Sequence, residues 1–185
     1  MADLRVEVHR KTRGATIELA VEAAHLIETH LGHRLAPTRV IYTDSAGLAH
    51  HRWQWEQRLL PGMSSEVRRN RQHAIRAEAP GSAGVTLPGP GHDTLLLINT
   101  SHGRSQLGRT LIHEYMHVDQ LADHAYRTEH YNYLAHAVGI TTISRGHYRR
   151  HMRAMDRNET AAKRAEQLAR HLNRKEQAWA AGSER

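Results

Sequence analysis

One group of residues in this chain has the spacing of a catalytic metal site: His113-Glu114-Tyr115-Met116-His117. Histidines four residues apart lie about one turn apart on an α-helix, so both imidazoles project from one face and can bind one Zn²⁺. Glu114 lies beside them and can take a proton from a water that the zinc activates. The pattern therefore predicts a zinc-dependent hydrolase with Glu114 as its general base.

The segment around this motif has the periodicity of a helix that runs from near Ser105 to about Asp123. Its apolar residues recur at helical spacing on a face other than the one that carries His113 and His117. One side of this helix is therefore expected to pack in the core while the other presents the imidazoles. The apolar positions are Leu107, Leu111, Tyr115, Val118 and Ala122.

A catalytic zinc also needs a third protein ligand and an open coordination position. The metzincin form of the motif is excluded, because Gln120 and Asp123 stand where it requires glycine and histidine. His124 lies on the same helix face, but seven residues along an unbroken helix is about 10 Å. We therefore predict His130 as the third ligand, with Glu129 as the first alternative and His124 as the second.

The rest of the chain supplies the elements that must position this helix. Residues 16–31 are amphipathic and are followed by Gly32, which predicts a capped helix. The runs RVIYTD (39–44) and TLLLIN (94–99) read as strands, the second a buried one. TLLLIN directly precedes the motif helix and is expected to offer an edge to which an extended peptide adds.

Two segments are harder to assign. In residues 48–60, Trp53 and Trp55 alternate with polar residues, which favours a strand with both indoles on one face. Residues 79–92 are rich in Gly and Pro and are predicted as a loop.

The predicted fold is therefore α+β, a minimal zincin-like domain in which a small β-sheet packs on the active-site helix. We assign residues 1–146 to this domain and residues 147–185 to a basic helical C-terminal extension. In that extension, Glu159–Lys163 and Glu166–Arg170 are predicted as supporting ion pairs one turn apart.

With these elements in order, residues 16–140 resemble the SprT-like zinc metallopeptidases, the group that includes the Spartan proteases of DNA–protein crosslink repair. The resemblance rests on RVIYTD, TLLLIN, TLIHEYMH and a histidine in a following helix that ends in Gly139-Ile140. In that family the third ligand is a histidine a little over ten residues beyond the second, a spacing that His130 matches. The resemblance implies a metal-dependent peptidase associated with DNA.

A gluzincin-like arrangement is the alternative, with Glu129 as third ligand. Glu129-x-x-Asn132 is similar to the third-ligand helix of that clan, which includes ImmA/IrrE-type regulators that cleave repressors.

Asp119 or Asp123 could orient a ligand imidazole. The donor for the tetrahedral oxyanion stays open among five residues near the motif: Tyr126, Arg127, Tyr131, Tyr133 and His147.

Charge is unevenly distributed along the chain. The formal net charge is +7, and residues 145–185 hold 11 Lys/Arg against 5 Asp/Glu while residues 1–144 hold 15 against 14. Such a basic tail indicates an anionic partner, most often nucleic acid. We predict Arg149, Arg150 and Arg153 as DNA contacts, around the pair His147 and His151. A non-catalytic nucleic-acid-binding protein with a structural metal site is the competing hypothesis.

Composition excludes several other classes. The chain has no cysteine, so disulfides, thiolate zinc sites, iron–sulfur clusters and cysteine nucleophiles are excluded. No run approaches the roughly 18 apolar residues of a transmembrane helix. The first residues lack the apolar core of a secretory signal, so a cytoplasmic protein is predicted.

Overall fold

The computed structural model describes residues 3–9, 16–89, 91 and 93–172, and in them the chain is α+β, as predicted. It has one small mixed sheet surrounded by helices. The strands are β1 (Leu4–Val8), β2 (Thr38–Thr43), β3 (Gly84–Pro88) and β4 (Thr94–Asn99). The helices are α1 (Ile17–Leu31), α2 (Ser45–Leu59), α3 (Ser65–Glu78), α4 (Arg104–Ala122), α5 (His124–Ala137) and α6 (Arg145–Ala165).

The strand order in the sheet is β1-β2-β4-β3. The first three are parallel, and β3 runs antiparallel to β4, with Thr86 opposite Leu96. TLLLIN is therefore an inner strand, and the prediction that it supplies an open edge is wrong. The edge strand next to it is β3, which lies inside the segment 79–92 that was predicted as a loop. Val85 and Thr86 favour an extended backbone, and pairing with β4 completes the strand despite the flanking glycine and proline.

The two inner strands are buried on both faces, which explains their nearly continuous apolar sequence. Alternate residues point to opposite sides, so Leu96 and Ile98 pack on one side of the sheet and Leu95 and Leu97 on the other. The first side is covered by α1, α4 and α6, and the second by α2 and α3. The predicted ligands His113 and His117, which lie on α4, thus belong to the first side.

Helix α1 confirms the predicted helix over residues 16–31. The Thr16 hydroxyl accepts the Leu19 N–H at its start, and Gly32 ends it in the left-handed conformation, at φ +77°. Five small or aliphatic side chains form its buried inner face: Leu19, Ala20, Ala23, Ala24 and Ile27.

Residues 48–60 form most of α2, so the predicted strand there is wrong. Asp44 caps the helix by accepting the Gly47 N–H at 2.8 Å. Ala49 and Glu56, seven residues apart, are both buried, which is helical and not strand spacing. Trp55 remains half-buried and donates its indole N–H to the Pro88 carbonyl at 2.8 Å, which fastens α2 to the edge strand.

The basic extension shares the core of the preceding domain. Ala162 and Ala165 of α6, with Ala169 and Leu172 beyond it, are buried in the same cluster as α1 and α4. A boundary at residue 146 therefore does not separate two hydrophobic cores. The last part of the predicted tail helix, residues 173–180, lies outside the described residues. Among the described helices, none combines the length and apolarity needed to cross a membrane.

Candidate metal centre

Helix α4 holds the two predicted histidine ligands as its sequence requires. Leu107, Leu111 and Val118 are buried in the core, and the opposite side carries His113 and His117. The two Nε2 atoms lie 3.1 Å apart, as the four-residue spacing predicts.

The third chelating group beside these histidines is Glu159 of α6. Its Oε2 lies 3.5 Å from His113 Nε2 and 3.4 Å from His117 Nε2. Metal–ligand bonds of about 2.0–2.2 Å at tetrahedral angles separate ligand atoms by roughly 3.3–3.6 Å. Two imidazoles and one carboxylate at this spacing fit a divalent ion such as zinc, and this is the one such group among the described residues.

A second layer of contacts fixes both imidazoles in the tautomer that binding requires. His113 Nδ1–H donates to Glu166 Oε1 at 3.0 Å, and His117 Nδ1–H donates to Gln120 Oε1 at 2.7 Å. Each Nε2 therefore presents a lone pair toward Glu159, the arrangement that metal-binding histidines usually show. Arg109 in turn holds Glu166 at 2.6 Å.

Glu159 carries its charge in this environment. Burial alone would raise its pKa, but the hydrogen bond from Lys163 and the nearby His113 and His117 lower the pKa below its usual value. A carboxylate that stays ionised is what metal coordination needs. The predicted Glu159–Lys163 ion pair is confirmed at 3.1 Å. Glu166 instead pairs with α4, not with Arg170 as predicted.

Glu114 follows His113 on α4 and is only 6% exposed. The Thr86 hydroxyl of β3 donates to its Oε2 at 2.6 Å. Burial raises the pKa of Glu114 above its usual value, and His117 and the Thr86 hydrogen bond offset part of that rise. A carboxylate with a raised pKa is a better proton acceptor, which suits a general base.

Gly84 explains how the edge strand comes so close to Glu114. A Cβ at this position would lie 2.7 Å from both Cγ and Oε1 of Glu114. Only a residue without a side chain lets β3 pack directly on Glu114.

His130, the predicted third ligand, is not part of the three-residue group. It lies on α5 and faces His151 of α6, with Nδ1 and Nε2 3.3 Å apart. The alternatives Glu129 and His124 are exposed on α5. The physical reason is that α6 folds back over the histidine face of α4, and its own carboxylate Glu159 occupies the position next to the two imidazoles.

Asp119 and Asp123, predicted as residues that could orient a ligand imidazole, contact other groups instead. Asp119 pairs with His33 at 2.6 Å, and Asp123 caps α5 by accepting the Tyr126 N–H at 2.9 Å. Gln120 and Glu166 orient the imidazoles in their place.

The five candidate oxyanion donors are scattered. Arg127 is buried and donates to the carbonyls of Leu121, Gly89 and Asp93, so it fastens the β3–β4 turn to α4. The remaining four differ in their surroundings. Tyr131 donates to the Leu59 carbonyl, and Tyr133 packs against His151. His147 is exposed at the start of α6. Tyr126 alone of the five lines the cavity beside His117.

Two concave regions flank the centre. A cavity of about 290 Å³ lies on the His117 side and is lined by both polar and apolar groups, among them Thr86, Tyr126, His130, Met152, Met155 and Glu159. A second region of about 490 Å³ lies on the His113 side and includes Gly84, Arg109 and Glu166. A chain lying along β3 would pass over the centre between them.

The predicted DNA contacts form an exposed arginine row (Arg149, Arg150 and Arg153) on α6. None of the three has an ion-pair partner within the described part of the chain. His151, placed among them by the sequence analysis, is instead buried, at 2% exposure. It faces α5 and cannot contact a phosphate on the surface.

Sequence reasoning missed Glu159 and Glu166, although both leave a signal. They are seven residues apart, Glu159 within α6 and Glu166 directly after its last residue, so they lie on the same side as buried Ala162 and Ala165. A pair of acidic residues bordering an apolar stripe marks a face that meets another helix rather than water. The evidence for the centre is thus this chain's own geometry, since comparison with family models, curated proteins and solved structures finds no match.

Proposed function

We propose that this protein is a zinc-dependent metallopeptidase. The observation that carries the proposal is the convergence of His113 Nε2, His117 Nε2 and Glu159 Oε2 within 3.5 Å of one another, next to the buried carboxylate of Glu114. A purely structural zinc site has no need of a further group such as the buried carboxylate of Glu114 beside an open cavity. A hydrolase needs such a group as its general base.

Zinc held by these three groups would polarise the scissile carbonyl and lower the pKa of the attacking water toward 7. Glu114 takes the proton of that water and delivers it to the leaving amine as the C–N bond breaks. The Thr86 hydrogen bond to Oε2 fixes the orientation of the base, and the other carboxylate oxygen is then the one free to move the proton.

The edge strand supports a peptide as the substrate. Asn99 N–H donates to the Ala83 carbonyl and Gly89 N–H to the Asp93 carbonyl, each at 2.8 Å, so every second residue of this strand pairs with β4. The alternate residues, Gly84 and Thr86, direct their backbone groups to the free edge. An extended peptide that adds to this edge would place its carbonyls beside the metal centre.

The ligand set favours a gluzincin-like site over the SprT-like one. The resemblance to SprT-like proteins implied a histidine as third ligand, and the geometry offers a glutamate from a later helix instead. The gluzincin-like alternative implied such a glutamate, with Glu159 now taking the place proposed for Glu129. We therefore propose a zincin-like peptidase with a carboxylate third ligand.

The Glu114→Gln variant tests the catalytic part of this proposal. We expect it to keep one zinc per chain and to lose proteolysis by more than about 10³-fold, since the amide cannot accept the proton. Zinc is measured by elemental mass spectrometry after dialysis, and proteolysis with a mixed peptide library read by mass spectrometry. Wild-type protein that binds zinc but cleaves nothing in the library, or a Glu114→Gln variant as active as wild type, contradicts the proposal.

We further propose that the arginine row binds DNA. These three side chains are exposed and have no acidic partner among the described residues, and the same helix lines the cavity with Met152 and Met155. Replacing all three arginines by glutamine is expected to lower the slope of log Kd against log salt by about 3 for a 20-bp duplex. Fluorescence anisotropy measures this slope.

The matched control removes three exposed arginines from the opposite side of the sheet, Arg58, Arg69 and Arg76 on α2 and α3. It changes the net charge equally. Equal slopes for the two triple variants would show that net charge, not the row on α6, determines the binding.

A further inference from the structure

Two histidines outside the metal centre form a buried pair between α5 and α6. His130 Nδ1 lies 3.3 Å from His151 Nε2. The His151 ring is 2% exposed and stacks on Tyr126, with ring centroids 5.7 Å apart and an angle of 21°. Neither imidazole is used by the catalytic steps above.

Both rings of this pair are neutral. Burial lowers the pKa of His130 to about 4, helped by repulsion from His151 and His117. Burial also lowers the pKa of His151, with Glu129 opposing it in part. A neutral imidazole carries one proton, so one nitrogen of each ring donates and the other accepts.

The surroundings of His151 decide which nitrogen carries the proton. Its Nδ1 is buried and has no hydrogen-bond partner among the described residues. If His130 donated to His151 Nε2, the proton of His151 would sit on that Nδ1 as a buried N–H without an acceptor, which native proteins rarely tolerate. If His151 donates from its Nε2 instead, its buried Nδ1 carries only a lone pair. His151 Nε2–H therefore donates to His130 Nδ1.

This orientation makes His130 a donor at its other nitrogen. Its proton then sits on Nε2, which makes no hydrogen bond within the described residues. The His130 side chain lines the same cavity as His117, Glu159 and Thr86. The cavity beside the proposed metal site is thus lined by an imidazole that carries a neutral N–H donor.

We propose that His130 Nε2–H donates a hydrogen bond to the oxygen of the scissile carbonyl as negative charge develops on it, and that His151 is the residue that positions this donor. The inference rests on the proposed peptidase function. No proton leaves His130 in this step. The ring stabilises the oxyanion, and a neutral donor suffices for that. Tyr126, which lines the same cavity, is the competing donor.

The first readout is the protonation site itself. Long-range ¹H–¹⁵N correlation spectra of the zinc-loaded full chain at neutral pH report the tautomer of each histidine, and His130→Phe and His151→Phe spectra assign the signals. We expect Nε2–H on both rings. A proton on His130 Nδ1 overturns the inference even if Glu114→Gln has confirmed the peptidase.

The second readout is kinetic, on a peptide that the wild type cleaves. We expect His130→Phe to keep one zinc per chain and nearly the same KM, and to lose about 10²–10³ in kcat. His130→Gln, which retains an N–H donor at a similar reach, should recover part of that loss. His151→Phe should lose kcat without losing zinc, because the donor is no longer held.

Three controls separate this role from others. His124→Phe, on the exposed side of α5, should leave kcat unchanged. Loss of zinc in His130→Phe would make His130 a ligand and overturn the inference, as would a kcat loss found in Tyr126→Phe but not in His130→Phe. A thermal melt of each variant shows that the comparison is made on folded protein.

Discussion

Replacing Glu159 by alanine is expected to remove bound zinc, although His130, Glu129 and His124 all remain in place. The Glu159 carboxylate is within 3.5 Å of both imidazole Nε2 atoms, and no other acidic or histidine group among the described residues completes this set. Loss of a residue that only orients a ligand already costs about 10–100-fold in metal affinity. Loss of the ligand itself should raise the zinc Kd by more than about 100-fold, measured by competition with a chromogenic chelator.

The control for this experiment is Glu129→Ala, which removes an exposed carboxylate of the neighbouring helix. It should bind zinc like wild type. Glu166→Ala should fall between the two, because it frees the His113 ring without removing a ligand. Zinc retained by Glu159→Ala but lost in Glu129→Ala would make Glu129, the first alternative from the sequence, the third ligand.

Because Glu159 lies in the C-terminal extension, deleting that extension is expected to affect the proposed metal site. Removing residues 147–185 would delete Glu159, the proposed third ligand, and the buried Ala162 and Ala165 together, so the truncated chain should neither bind zinc nor keep its stability. Such a deletion cannot separate DNA binding from catalysis. Substitutions in the arginine row can, because these side chains are exposed.

The local half of the site was predictable from the sequence. The spacing of His113 and His117, the apolar face of α4 and the place of Glu114 all follow from helix periodicity. These relations hold within a few turns, so no knowledge of the rest of the fold is needed.

The proposed third ligand was not predictable in the same way. Glu159 meets the histidines only because α6 packs on α4, and that contact is set by distant apolar residues. The spacing along the chain favoured chelating residues on the next helix, α5, where His130 and Glu129 lie. The carboxylate next to the two imidazoles comes instead from α6.

The misassigned elements have related causes. The alternation of Trp53 and Trp55 suggested a strand, but Asp44 starts a helix there by capping it. The glycines and prolines around strand β3 suggested a loop, although Val85 and Thr86 favour a strand, and pairing with β4 sets their extended backbone. In both cases a specific contact, the Asp44 cap or the pairing with β4, determines the element.

The largest effect on stability is expected at Glu56, far from the metal centre. This carboxylate is 1% exposed and accepts hydrogen bonds from Arg52 Nε at 2.9 Å and from Arg71 Nε at 2.7 Å. Removing one partner of a buried ion pair costs about 3–5 kcal/mol, since the remaining charge is left without compensation. We expect Glu56→Ala to lower the free energy of unfolding by about 3 kcal/mol, because Arg52 keeps its second partner, Glu78.

Urea denaturation of zinc-loaded protein measures this loss. The matched control is Glu66→Ala, at the exposed start of α3. We expect it to change the free energy of unfolding by less than about 1 kcal/mol. Replacing Glu56 and Arg71 together by methionine should recover most of the stability, because no uncompensated charge is then buried. Helices α2 and α3 cover the side of the sheet opposite α4 and α6, so the folded Glu56→Ala protein should bind zinc with unchanged affinity. We expect Glu56 to stabilise the fold without affecting the metal site. A Glu56→Ala variant as stable as wild type, or one with a raised zinc Kd, would contradict this expectation.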